Sequence, residues 1–358
     1  MALLNFFQNK ATLGIDIGGT SIKIAEVSPG SSGPHLDNYA LFENLSHLER
    51  SNAVFQSKTV KLYEEEIASY LKVIYKRAGF KAKRVFASLP AFSSFSTSIE
   101  IPMMSEKEVR QTLNFKAKQY IPLPMDSVAL DWVKVGERLD DKGVKQQQLF
   151  LIAVPKNYLD QYQKIFRLAG LDLESLELEV FSTARLLGNT PEPTLIIDLG
   201  ARSTLFIVAK NRAPHYISQS DFSSSSLTEA ISRSLGINSL RAEGLKREKG
   251  LGSFDYEADK ELSTLLTPVI DVIISEAKRA KDSYANLHHE DIKRVVLTGG
   301  GANLIGLREY IARALNLEVN KASSFEGIYY ERRLDPILND LSTELAVSLG
   351  LALKPFIE

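Results

Sequence analysis

The stretch Asp16-Ile-Gly-Gly-Thr20-Ser21 gathers one carboxylate, the glycines Gly18 and Gly19, and two hydroxyls into a single short turn. Backbone amides in such a turn reach phosphate oxygens closely, Thr20 and Ser21 add hydroxyl donors, and Asp16 suits a magnesium ion held through water. The plain alternative is a glycine turn with a surface carboxylate. Asp198-Leu-Gly-Ala-Arg-Ser-Thr204 supplies the set a second time, with Gly200, Ser203 and Thr204 in matching places. Two such turns facing one another would hold phosphates between them, with Asp16 and Asp198 sharing the metal. Lys23, on the outgoing strand, reads either as a solvated side chain or as a further phosphate contact. A third stretch, Gly299-Gly300-Gly301-Ala302, follows an apolar run and precedes a helical pattern. A glycine run opening a helix offers unpaired amides and the positive end of the helix dipole, and it leaves room for a flat base or sugar. It equally allows close packing of strand on helix.

These turns need elements to hold them. Residues 13–25 and 195–207 share one pattern, an apolar run, Asp-x-Gly, then a second apolar run. Short β-branched runs divided by a glycine turn predict strand pairs, so each copy is a hairpin with its Asp near the tip. Two like hairpins imply two like halves. Between them, residues 63–78 put Ile67, Tyr70, Leu71, Ile74 and Ala78 on one helical face and stop at Gly79, a left-handed cap. Ser105 and Glu108 form a capping box that opens a helix to about Tyr120, closed by Pro122 and Pro124. Strands over 128–135 and 148–154 flank a turn at Asp140 to Gly143, and a helix over 156–169 ends at Gly170. Residues 83–170 thus form an α+β unit of their own. After the second hairpin, helices are predicted over 227–235, 239–248 and 257–286, and a strand over 294–298. A helix over 303–315 and a core helix over 339–353 follow, and Ser28 to Pro34 reads as an exposed turn.

The chain has 358 residues, 44% of them hydrophobic, with 43 Lys and Arg against 44 Asp and Glu and no cysteine. That length allows two to four compact units of ~100 to 200 residues. Lack of cysteine removes thiolate zinc sites, iron–sulfur clusters, cysteine nucleophiles and disulfide frameworks. The near-neutral charge argues against a nucleic-acid partner or a general anionic-membrane surface. Residues 1–10 lack the features of a signal peptide, and the apolar stretches at 149–154 and 345–353 fall short of the ~20 residues of a spanning helix, so any membrane role is peripheral. Leu3, Leu4, Phe6 and Phe7 read as packing onto the first half, or else as a membrane-dipping segment.

Taken in series, the three glycine-containing stretches make the sequence resemble the actin-like ATPase superfamily, whose phosphate-1, phosphate-2 and adenosine motifs occur in this order. The resemblance spans nearly the whole chain. Within that superfamily the sequence looks most like the PilM family of type IV pilus assembly proteins, itself similar to the cell-division protein FtsA. Residues 83–170 carry much of the match, in Ala87-Ser-Leu-Pro90, Ile99-Glu-Ile-Pro-Met-Met104, Phe115-Lys-Ala-Lys-Gln-Tyr-Ile-Pro122 and Asp131-Trp132. Leu227-Thr228, then Ala242-Glu243-Gly-Leu-Lys246, resembles the family stretch whose Glu and Lys approach ribose and base. Periodicity alone reads Glu243 and Lys246 as a solvated pair on a helix. One departure stands out: Ser223 to Ser226 occupy the place of the usual Gly-Gly pair. They form either a helix-start cap with its flank or extra hydroxyls beside a nucleotide. No water-positioning Gln, Glu or His emerges from spacing, so phosphate binding is better supported than turnover.

The resemblance implies an α/β, ribonuclease H-like fold of two duplicated lobes with an inserted SHS2-like subdomain 1C. The expected division is 1–82 and 171–192 for subdomain 1A, 83–170 for 1C, 193–236 and 291–338 for 2A, and 237–290 for 2B. The last helix, 339–358, returns to 1A. ATP and Mg2+ are the implied ligands, with hydrolysis slow or absent. The implied protein is a cytoplasmic scaffold at the inner face of the cytoplasmic membrane. It would hold the N-terminal cytoplasmic peptide of PilN near 1A and 1C, with other pilus platform proteins and further copies of itself as additional partners. Two alternatives remain. An FtsA-like protein usually ends in a linker and an amphipathic helix, whereas this chain closes at Phe356-Ile-Glu358 after its last predicted helix. A sugar kinase shares the Asp-Ile-Gly-Gly-Thr start, but the ROK type adds a cysteine-rich zinc motif and an Asn-Asp stretch that are not found here.

Overall fold

The computed structural model of the chain describes residues 10–44, 60–140, 142–252 and 257–357. Leu3, Leu4, Phe6 and Phe7 lie outside the described residues. Strand β1 (Thr12–Ile17) is buried along its whole length and pairs antiparallel with β2 (Ser21–Gly30), which pairs antiparallel with β3 (Gly33–Glu43). Helix α1 (Val60–Ala78) buries Ile67, Leu71 and Ile74 at the predicted spacing, and β4 (Arg84–Leu89) then joins β1 in parallel.

The next elements make a separate sheet. Strand β5 (Phe95–Pro102), helix α2 (Glu106–Tyr120), β6 (Val128–Leu139) and β7 (Lys145–Pro155) form an antiparallel sheet of order β5-β7-β6. Val109, Leu113 and Ala117, one helical face of α2, join the apolar side of that sheet. The capping box forms, with Glu108 accepting from both the N–H and the hydroxyl of Ser105. Helix α3 (Lys156–Ala169) ends on Gly170 in the left-handed region, and β8 (Asp172–Leu178) completes the first large sheet, order β3-β2-β1-β4-β8.

Helix α4 (Glu179–Leu187) carries the chain into the second half. There β9 (Thr194–Leu199), β10 (Thr204–Lys210) and β11 (Ala213–Ser220) form an antiparallel meander. Helices α5 (Ser224–Leu235), α6 (Ser239–Lys249) and α7 (Glu257–His288) follow. Strand β12 (Arg294–Thr298) joins β9 in parallel, and after α8 (Leu307–Leu315) strand β13 (Glu318–Lys321) joins β12. The order β11-β10-β9-β12-β13 repeats the first sheet strand for strand. The repeat seen in sequence is therefore a repeat of topology, and β1 and β9 are the buried middle strands of two equivalent sheets.

The C-terminal core helix expected over 339–353 is in fact broken. Leu345 (φ −92, ψ 3) separates α9 (Leu338–Glu344) from α10 (Ala346–Ala352), and α11 (Lys354–Ile357) follows. The break lets α9 stay beside the second sheet while α10 enters the core of the first. Close approach there depends on glycine: a Cβ on Gly14 would sit 1.8 Å from the Ser348 carbonyl oxygen, and one on Gly350 2.2 Å from that of Ser182. Helix α10 thus lies backbone to backbone on β1 and α4. Nearby, Arg185 holds Glu177 through two hydrogen bonds of 2.6 and 2.9 Å, and Lys354 adds a third at 2.8 Å. Among the described residues no helix is long and apolar enough to cross a membrane.

Candidate functional site

The two hairpins end in the same turn. The Gly18 amide donates to the Ser21 carbonyl at 2.9 Å, and the Gly200 amide donates to the Ser203 carbonyl at 3.1 Å. Both turns open into one cleft of about 410 Å³ between the halves, lined by Asp16, Gly18, Gly19, Thr20, Ser21, Lys23, Asp198, Gly200 and Ser203 among others. The loops also touch. A Cβ on Gly19 would meet the Arg202 side chain at 2.3 Å, so the absence of a side chain at 19 lets the second loop lie over the first.

Asp16 is buried and oriented by Ser88, whose hydroxyl donates to Oδ1 at 2.7 Å, while the Lys23 ammonium lies 3.6 Å from Oδ2. The alternative of a solvated Lys23 is thereby corrected: β2 starts inside the cleft, and its third residue points inward. Burial works against the charge on Lys23, but the carboxylates of Asp16, Asp198, Glu344 and Glu179 outweigh it and hold its pKa above the ordinary lysine value. The same crowding acts on the acids. Burial, with Asp16 adding repulsion and Lys23 opposing, pushes Asp198 up to about 6. Burial and the charges of Asp16 and Asp198 push Glu179 up to about 8, although the Ala91 amide donates to it at 2.9 Å. This excess of buried negative charge is the kind of donor set a cation relieves. Among the described residues no three His, Cys, Asp or Glu side chains could hold a metal ion by themselves. Magnesium keeps several waters and needs only one or two carboxylates when phosphate oxygens complete its shell, so Asp16 and Asp198 fit it through water.

The third loop reaches the cleft at Asp198. Thr298 pairs with Asp198 across β12 and β9, and Gly299 (φ 82) brings its backbone so close that a Cβ would lie 2.4 Å from Asp198 Oδ1. Gly301 is likewise pressed on Leu199, whereas Gly300 meets only the Glu344 carboxylate, at 3.9 Å. The expected helix start at Asn303 is corrected. Gly300 to Asn303 form a 3₁₀ turn, and α8 begins only at Leu307, after Gly306 in the left-handed region. Room for a flat group survives this change; a helix dipole aimed from the glycine run does not.

Lys246 and Glu243 are not the solvated pair that periodicity suggests. Lys246 is buried, with its ammonium 2.7 Å from Glu243 Oε2, 2.7 Å from the Ser224 hydroxyl and 2.9 Å from the Thr228 hydroxyl. Burial alone would push the Glu243 carboxyl up, but Lys246, Thr228 and Arg247 hold it down to about 2. Ser223 and Ser226 cap α5, with the Ser223 amide donating to the Ser226 hydroxyl at 3.1 Å, while Ser224 and Ser225 line the cleft. The cap reading of the serine run therefore holds for Ser223 and Ser226, and Ser224 and Ser225 face the cleft.

Two expected residues fall outside the cleft. Thr204 gives its hydroxyl to the Phe222 carbonyl at 2.7 Å, and Ala302 packs in the apolar core of the second half. Glu179, Ser88, Glu344 and Arg247 were missed as site residues. Glu179 is the most telling, because a carboxylate opening a helix whose next eight residues are all buried has no solvent-facing role.

Two duplicated sheets closing on a cleft that both hairpin turns line give the protein the actin-like ATPase fold. The chain belongs to the family of the type IV pilus assembly protein PilM, which matches residues 14–356. Its fold is similar to that of a PilM-PilN type IV pilus biogenesis complex, at 24% identity over 98% of this chain and 99% of that one, TM-score 0.81. It is also similar to the ethanolamine utilization protein EutJ from Carboxydothermus hydrogenoformans, at 16% identity over 96% and 89% of the two chains, TM-score 0.56. MreB5 of Spiroplasma citri bound to ADP gives 13% identity over 98% of each chain, TM-score 0.54.

Proposed function

We infer that this protein is a cytoplasmic scaffold of the type IV pilus assembly platform that clamps ATP and Mg2+ between its two lobes and holds the N-terminal cytoplasmic peptide of PilN. The observation that carries the nucleotide reading is the meeting of Asp16, Asp198 and Gly299 in one cleft from three separate parts of the chain. Its volume lies within the ~300 to 1,000 Å³ of small-molecule sites. Gly18, Gly19, Thr20, Ser21, Gly200 and Ser203 would receive phosphate oxygens, with Lys23 balancing their charge. Asp16 and Asp198 would hold the metal's waters, and Gly300 would leave space for the base or sugar, with Glu243 beside it.

A bound magnesium ion supplies positive charge to phosphate oxygens and to both aspartates. Glu179, a third carboxyl lining the cleft, would accept a proton from an attacking water. In the ligand-free protein, burial and the charges of Asp16 and Asp198 hold its pKa at about 8. Membrane attachment would then come through partners.

Calorimetric titration of the full chain with Mg·ATP, and separately with a peptide copying the PilN cytoplasmic end, tests both halves. At ~100-fold above its dissociation constant, a ligand that binds only the folded state adds roughly 2.7 kcal/mol of stability. Asp16→Ala combined with Asp198→Ala should remove the magnesium-dependent part of that gain. An unchanged gain would reject the two-carboxylate site, and no heat with the peptide would reject the partner.

A further inference from the structure

One ion pair crosses the cleft directly. The Arg247 guanidinium of α6, in the second half, donates to both carboxylate oxygens of Glu43 on the first half, at 2.9 and 3.2 Å. Its Nε donates at 2.8 Å to Glu243, so one planar group holds two carboxylates. The bonds to Glu43 are bidentate and charge-assisted, the geometry in which arginine holds a carboxylate most firmly.

What Glu43 is attached to gives this pair its meaning. It ends β3 directly opposite Ser21, and the Asn44 amide donates to the Thr20 carbonyl at 2.9 Å. Pulling on Glu43 therefore pulls on the first loop. At its other end β3 is bound to the segment after β13 by main-chain hydrogen bonds, Tyr329 N–H to the Pro34 carbonyl at 2.9 Å and Leu36 N–H to the Tyr329 carbonyl at 2.8 Å. Strand β3 thus touches the second half at both ends, through backbone at one and through a side-chain pair at the mouth of the cleft at the other. Only the side-chain end can open without breaking sheet hydrogen bonds. Arg247 and Glu43 both line the cleft, and the pair is partly exposed, with 54% and 32% of each side chain in contact with solvent. Exposed pairs contribute modestly and are weakened by salt, which suits a clasp that must open.

We propose that Arg247 and Glu43 form a clasp across the cleft whose opening sets how long a nucleotide stays bound. This rests on the nucleotide reading above. Opening separates the two halves at the cleft mouth while the Tyr329 end acts as the fixed side, and closure draws the Thr20–Ser21 backbone toward α6.

The test compares the wild type with Glu43→Gln and Glu43→Lys in the full chain. Dissociation of a fluorescent ATP analogue is followed by displacement with excess unlabelled ATP. Distances between spin labels on Lys76→Cys in α1 and Ser234→Cys in α5, both exposed positions, are measured without nucleotide; the chain has no other cysteine. Glu43→Gln should speed dissociation about twofold to fivefold, the range expected for a partly exposed ion pair, and broaden the label distance toward longer values. Glu43→Lys should do more of both, and added salt should speed the wild type more than either variant. Wild-type dissociation rates in both variants would overturn the proposal. Faster dissociation with an unchanged distance would also overturn it, because Glu43 would then act by touching the nucleotide rather than by closing the lobes. A wild type that binds no nucleotide would instead overturn the reading of the cleft, and the distances would still show whether the pair holds the halves together.

Discussion

Lys23 faces Asp16 across the first hairpin, its ammonium 3.6 Å from the carboxylate, whereas the matching place opposite Asp198 on the second hairpin is taken by Leu205. The duplication has kept both carboxylates and only one cation. Lys23 must therefore serve both, and Asp198, buried and repelled by Asp16, is pushed up to about 6.

Asp198→Asn follows from this asymmetry. A carboxyl whose folded pKa lies above its unfolded value contributes stability below the unfolded pKa and loses it as pH rises through the folded one. For Asp198 that window runs from the ordinary carboxyl value of 3.8 to about 6. The ligand-free Asp198→Asn protein should therefore melt higher than wild type at pH 8, with a smaller difference at pH 5. Magnesium-dependent stabilisation by ATP should fall in the same variant. A variant that melts lower than wild type at pH 8 would show that the carboxylate is net stabilising in the free protein.

Glu179→Gln extends the argument over a wider range. The amide oxygen can still accept from Ala91, so the geometry survives, while the charge disfavoured by burial and by the two aspartates is removed. The wild type should lose stability as pH rises from 4.5 to about 8, and the variant should lose less of it. The difference in melting temperature should grow to several degrees by pH 8.5. Parallel pH profiles for the two proteins would mean that Glu179 titrates as an ordinary surface carboxyl.

How far the sequence carries this picture differs from residue to residue. Both hairpins, the Ser105 capping box and the helix stop at Gly170 follow from local rules of period and cap, and all three are present. Strand β8 escaped notice because its sequence Asp-Leu-Glu-Ser-Leu-Glu-Leu mixes acidic and apolar residues, and Glu174 and Glu177 are engaged by Arg84, Arg185 and Lys354, which lie far off in sequence or across a helix. In the site, Asp16, Asp198 and the glycines were legible because turn chemistry is local. Lys23 and Lys246 were named as candidates but their burial was not legible, and Glu179 was not read at all, since burial of a charged group depends on partners brought by other elements. Gly14 and Gly350 looked like ordinary strand and helix residues, and only the contacts with Ser348 and Ser182 give the reason for glycine.

The partly buried trio Glu177, Arg185 and Lys354 makes a stability prediction. Glu177 lies under Arg185 and Lys354, and Arg185 also donates to the Gly350 carbonyl at 3.1 Å. Arg185→Met leaves a buried carboxylate with half its partners, which costs roughly 3 to 5 kcal/mol. Adding Glu177→Leu removes the stranded charge and should recover part of that loss. A double variant no more stable than Arg185→Met by urea unfolding would place the cost in the Arg185 contact with α10 instead.

Ser224 offers the sharpest reading of the departure from the family pattern. Its hydroxyl, absent from a glycine, accepts from Lys246 at 2.7 Å, and its carbonyl accepts from the same ammonium at 3.1 Å. With Glu243 and Thr228 also engaged, the three donors of Lys246 are fully used within the protein, so a nucleotide must compete for them. Ser224→Gly removes one of four acceptors around the ammonium and leaves three, the carbonyl of that residue, Thr228 and Glu243, for its three donors, at a cost of a few tenths to ~1 kcal/mol of helix stability. With all three donors still engaged, ATP affinity by calorimetry should stay within about twofold of wild type. Lys246→Met, in contrast, leaves Glu243 without its main partner and should weaken both folding and binding. Tighter binding in Ser224→Gly would mean that the serine run restrains the site; weaker binding would mean that the hydroxyl itself contacts the ligand.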